Sequence, residues 1–159
     1  MFVKNIPKTA IVLSFLGLIP FFIFSIFQMI SLSSITSQSY LLINAELDKL
    51  LLSYGLIILS FMAGTHWGFA AKSSGVLSTK AYLSSVIPTF LVFLIIPEHF
   101  FSVSHNIKLS LALLLLGFLG ILLFDVHHWK EKLAPQWWLS LRVPMTLIVV
   151  LLLLVGISA

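Results

Sequence analysis

Cysteine is absent from the 159 residues, which excludes disulfides, iron–sulfur clusters and thiolate catalysis. Charge is scarce. Asp, Glu, Lys and Arg make up 9% of the chain, against about a quarter in a soluble domain. The chain has no P-loop, dinucleotide fingerprint, H-E-x-x-H motif or Ser–His–Asp order. It also has no visible internal repeat, which weakens an inverted-repeat transporter. The net charge of +4 comes from Lys and Arg residues scattered without a basic patch, so nucleic acid is not an expected partner.

What fills the sequence is hydrocarbon. Hydrophobic residues make up 60% of it and mean hydropathy is +1.14. A soluble fold could not cover so much apolar surface, so the expected class is all-α, a polytopic membrane helical bundle forming a single domain. Five spans are expected, at about residues 9–32, 50–71, 79–96, 107–124 and 143–159. The first run is longer than a signal-peptide core and no A-x-A-type site follows it, so it is expected to be retained. Pro20 sits near its middle and predicts a kink, with Ser25 or a neighbouring helix meeting the freed carbonyl. The mixed stretch at 40–49 is read as a helix outside the bilayer that runs into the second span. Lys72 to Gly75 reads as a tight turn and Pro97 as the stop of the third span. Pro144 is placed in the first turn of the fifth span, where its missing N–H costs little.

Orientation follows from the cations. One side receives Lys4, Lys8, Lys72, Lys80, Lys130, Lys132 and Arg142, and the other only Lys49 and Lys108. The positive-inside rule then predicts the N-terminus inside and the C-terminus outside. The chemically distinctive residues fall on the inner side.

Ser60 to Gly68 closes the second span and holds several of them. Gly64 and Gly68 form a G-x-x-x-G pair, which is expected to be a packing seam within the bundle rather than a dimer contact. His66 points away from the glycines, about 9 Å from the inner boundary by helical rise. A histidine at that depth needs a partner. The structural reading is a neutral imidazole bridging helices; the functional ones are a quinone or headgroup contact, a proton relay or a haem ligand. With no second histidine expected inside the membrane, haem is disfavoured.

Asp125 ends the fourth span, and Arg142 is its natural partner across to the fifth. The pair reads as a structural clamp or, with His66, as a polar pocket. His127 and His128 invite a metal reading, but too few ligands share a face for a zinc site, so no metal and no cofactor are expected. Trp129, Leu133, Trp137 and Leu141 recur every four residues among Lys130, Lys132 and Gln136. Broken at Pro135, they read as an interfacial segment on an anionic leaflet. On the outer side, Glu98, His99 and His105 lie in a short loop where nothing converges.

Several pieces resemble an uncharacterised bacterial and mitochondrial family that includes animal transmembrane protein 69. They are Ile6-Pro7, Gly17-Leu18-Ile19-Pro20-Phe21, Ser60-Phe61 through Gly64-Thr65-His66-Trp67-Gly68, Gly117-Phe118 leading to Asp125, and Pro135-Gln136-Trp137-Trp138 followed by Leu141-Arg142 and Thr146. Ala63-Gly64-Thr65 stands where that family tends to show a second glycine, and Trp137-Trp138 where it tends to show Trp-Tyr. The resemblance implies an α-helical protein of the bacterial inner membrane, or of the mitochondrial inner membrane in a eukaryote. It carries no activity, substrate or cofactor.

The leading expectation is a non-enzymatic accessory or assembly factor. Its inner face of His66, Trp67, Asp125, Trp137 and Arg142 would dock another membrane protein or a lipid. The alternative is a binder or carrier of a quinone, lipid headgroup or ion in an inner-leaflet His/Asp/Arg pocket. Transport is disfavoured because polar residues do not continue across the fourth span.

Overall fold

The computed structural model describes residues 6–34, 37–72, 76–95 and 106–158. Among the described residues five α-helices follow one another: α1 (Lys8–Ser34), α2 (Ser37–Ala70), α3 (Val76–Ile95), α4 (Ile107–Lys130) and α5 (Trp138–Ser158). The described residues contain no strand. A backbone in hydrocarbon must satisfy its polar groups internally, and long Leu- and Phe-rich runs do so as helices. Four of the five are long and apolar enough to cross a membrane; the apolar part of α3, Thr79–Ile95, is shorter.

α2 and α4 form the central pair. α3 packs against both on one side, while α1 and α5 close the other side. Large apolar side chains such as Phe15, Phe61, Phe90, Leu116, Leu123 and Leu151 face outward on every helix. Many of the polar groups are inside: Ser25, Gln28, Asp48, His66, Ser84, Asp125, His128, Arg142 and Thr146 are all buried. That inversion fits a chain solvated by lipid rather than water.

Several boundaries differ from expectation. The stretch at 40–49 does run into the second span, as one 34-residue helix. α4 continues past Asp125 to Lys130, because three side-chain donors satisfy Asp125 sideways and nothing there ends the helix. It stops in a paired cap instead. The Leu133 N–H donates to the His128 carbonyl at 2.9 Å and the Lys132 N–H to the Trp129 carbonyl at 3.1 Å, with Lys132 left-handed at φ 58°. His127, His128 and Lys130 in the last turn suit the negative end of the helix dipole. α5 starts at Trp138, so Pro144 lies in its second turn rather than its first. As Pro135 predicts, the Trp129-to-Leu141 pattern is not one continuous helix. It is divided between the end of α4, a short link and the start of α5.

α1 runs through Pro20. The Tyr54 hydroxyl of α2 donates to the Gly17 carbonyl at 2.9 Å in the turn before that proline, while Ser25 reaches across to the Leu152 carbonyl of α5. Of the expected turn from Lys72 to Gly75, residues 73–75 lie outside the described residues, as do Pro97 and the loop with Glu98, His99 and His105.

Candidate functional site

Asp125 is the hub at one end of the bundle. It is fully buried, and both carboxylate oxygens are engaged. Oδ1 accepts from Trp138 Nε1 at 2.6 Å and from His66 Nε2 at 3.0 Å; Oδ2 accepts from Arg142 Nε at 2.9 Å. The Asp125–Arg142 pair thus ties α4 to α5, through a single Nε contact and not a bidentate fork. Arg142 turns Nη1 toward Met62 Sδ at 3.3 Å and lies 5.9 Å from the Trp138 ring centre. Removing these charges from water is costly, and the three donors around one carboxylate offset that cost.

His128 extends the hub to α3. Its ring centre lies 4.6 Å from that of His66, and its Nε2 is 3.1 Å from Ser84 Oγ. Ser84 Oγ also donates to the Ala81 carbonyl at 2.7 Å. Phe69 covers the assembly, edge-on to Trp138 at 5.1 Å. The expectation of a single buried histidine is therefore corrected: the longer α4 carries His128 inward, while His127 stays exposed. The two rings touch, leaving no room for a macrocycle between them. Among the described residues, no group of three or more His, Cys, Asp or Glu is disposed to hold a metal.

The residues expected to form one docking face separate. His66, Asp125 and Arg142 are buried in the hub. Trp67 faces outward, edge-on to Tyr82 of α3 at 4.7 Å. Trp137 is half-buried and tilts against Trp138 at 5.8 Å; it is Trp138, one residue on, that reaches Asp125. Gly64 and Gly68 are not a packing seam within the bundle. Both are exposed, and a methyl group added to either would meet nothing within 4 Å. The close helix approaches occur elsewhere: Gly117 packs against Leu59 and Leu91, and Gly156 against Leu51.

A cleft adjoins the hub. It has a volume of about 180 Å³ and lies between α1, α2, α4 and α5. Its walls are mainly apolar, with Leu18, Phe21, Phe118 and Val149 among them. Leu13 and Phe61, also in the lining, are largely exposed on the outside of the bundle, so the cleft opens sideways. Arg142 and Thr146 supply polar wall. Arg142 Nη2 and Thr146 Oγ1 are buried without a hydrogen-bond partner among the described residues. Neither Thr146 nor this cleft was singled out as a site from the sequence. A shallower groove between α3 and α4 is lined by Lys80, Ser84, Phe124 and His127.

A second polar knot lies at the other end of the bundle, about 27 Å from His66 along α2 by helical rise. Asp48 accepts from Gln28 Nε2 at 2.8 Å and from Lys108 Nζ at 2.9 Å, and Lys108 also donates to the Gly156 carbonyl at 2.7 Å. It joins α1, α2, α4 and α5. Between the knots the core is apolar, built from Leu51, Leu59, Leu111, Leu114 and Phe118.

No curated protein and no solved structure matches the chain. One family profile does, described as "Protein of unknown function (DUF3429)", over residues 6–158. The match covers nearly the whole chain, including the hub, the cleft and the second knot, and on it the chain belongs to the DUF3429 family.

Proposed function

We propose that this chain is a non-catalytic inner-membrane protein that binds a membrane-dissolved small molecule in the cleft beside Arg142. The observation that carries the reading is the double position of Arg142. Its Nε is held by Asp125, its Nη2 is buried without a partner among the described residues, and the side chain borders an apolar cleft that opens sideways. A buried donor without a partner is costly, and a ligand that accepts from it removes the cost. Five crossings with the N-terminus inside put this cleft in the inner leaflet. The membrane is the bacterial cytoplasmic one, or the mitochondrial inner membrane in a eukaryote, in line with the resemblance to the family that includes transmembrane protein 69. The apolar core between the two knots favours binding over transport.

Native mass spectrometry of protein extracted gently with its lipids tests this. One stoichiometric small molecule, lost in Arg142→Gln and retained in Trp67→Ala, supports the reading. A wild-type chain carrying nothing overturns it. The accessory-factor reading keeps one observation in its favour: the outward face of α2 presents Gly64, Trp67 and Gly68 together. A second protein that co-purifies with wild type and is lost in Gly64→Leu/Gly68→Leu would favour that reading instead.

A further inference from the structure

Resting on that reading of the cleft, we propose that its ligand is an uncharged, carbonyl-bearing ring on an apolar tail, the quinone class, and not an acidic lipid. Three observations converge. The first is charge. Asp125 already neutralises Arg142 at 2.9 Å, both groups being buried. An acidic headgroup would add a second negative charge to a region of low dielectric where Arg142, the cation in the cleft's lining, is already spent on Asp125. A neutral carbonyl needs only a donor.

The second is the kind of hydrogen bond on offer. Arg142 and Thr146 line the cleft, and behind its surface the Arg142 Nη2, which only donates, and the Thr146 hydroxyl, which can donate, are buried without a partner among the described residues, so that a small side-chain turn brings either to a ligand. Carbonyl oxygens of an oxidised ring accept from both. A hydroxyl of the reduced ring can also accept, but it is a weaker acceptor than a carbonyl and its own hydrogen then needs a partner in a mainly apolar wall, so the oxidised form is preferred. The third is size. A cavity of about 150 Å³ lined by apolar side chains holds benzene. At about 180 Å³ this cleft takes one six-membered ring with small substituents, and a tail leaves toward the bilayer between Leu13 and Phe61.

The test uses the full chain in phosphatidylcholine nanodiscs, titrated with a short-tailed benzoquinone, its quinol, and oleate. Binding is read by native mass spectrometry and by the shift in thermal unfolding. The quinone is expected to bind at least tenfold more tightly than the quinol or oleate. Thr146→Val should weaken the quinone by about tenfold, the loss of one hydrogen bond. The same substitution should raise the unfolding temperature of the unliganded protein, because it removes a buried hydroxyl without a partner. A merely structural Thr146 would not move the two readouts in opposite directions.

Gly17→Leu fills the cleft from α1, where an added Cβ meets nothing within 4 Å, and should abolish binding without loss of fold. Oleate binding that equals or exceeds quinone and is lost in Gly17→Leu would overturn the ligand class while keeping the cleft. Failure of every probe to bind in a Gly17-dependent way would overturn the cleft itself.

Discussion

At the scale of single residues, scarcity of charge made the hub partly legible. Asp125 and Arg142 each stand alone at the end of an apolar run, and a buried charge has few places to find a counter-charge. Their pairing could be read, but the other donors could not. Choosing between Trp137 and Trp138, or between His127 and His128, requires the angular phase of each helix, and both phases hinge on where α4 stops and α5 starts. Asp125→Ala should therefore lower stability by about 3–5 kcal/mol, since it leaves a guanidinium buried without its counter-charge. Trp138→Phe should cost about 1.5–3 kcal/mol, the range for a hydrogen bond to a charged group. Trp137→Phe, which touches no charge in the hub, should cost clearly less. Thermal unfolding in one detergent ranks the three. A Trp137 variant as damaged as the Trp138 variant would contradict the donor assignment.

At the scale of elements, the five helices were legible because their apolar runs are long, but their faces were not. Periodicity shows a pattern only when one side of a helix is polar. In a lipid-solvated bundle both sides are apolar, so the small residues of α2 could be assigned inward or outward with equal ease. The glycines decide it. Gly64→Ala and Gly68→Ala should leave stability unchanged or raise it by up to about 1 kcal/mol through helix propensity alone. Gly117→Leu should lower it by about 1–3 kcal/mol, because its side chain would displace Leu59 and Leu91 together. The cap of α4 gives a further contrast. Lys132 holds a left-handed backbone that favours glycine, so Lys132→Gly should gain up to about 1 kcal/mol. Chemical unfolding midpoints of these variants, set beside wild type, check both statements.

At the scale of the whole molecule, the two buried knots carry opposite consequences for topology and for transport. Each fastens several helices at one end, so the bundle is tied at both ends while its middle stays apolar. Asp48 and Lys108 could not be paired from sequence, because 60 residues separate them and Lys49 offered a nearer cation that bonds Glu46 instead. The positions of the knots make the crossing number testable. The absence of cysteine turns every introduced thiol into a unique label. If α3 crosses the membrane despite its shorter apolar stretch, Lys72→Cys and Lys132→Cys lie on the same, inner side and Asn106→Cys on the other. An impermeant maleimide added outside intact cells should then modify Asn106→Cys alone, and all three after the cells are opened. Because Lys132 follows α4 and Asn106 caps its start, those two sites report whether α4 crosses. Lys72 reports α3 independently. Labelling of Lys72→Cys together with Asn106→Cys from outside would mean that α3 does not cross. Four spans would also overturn the bundle itself, because His66 on α2 and Arg142 on α5 meet at one end while Lys108, beside Asn106, joins the knot at the other, an arrangement that requires α3 to run back across.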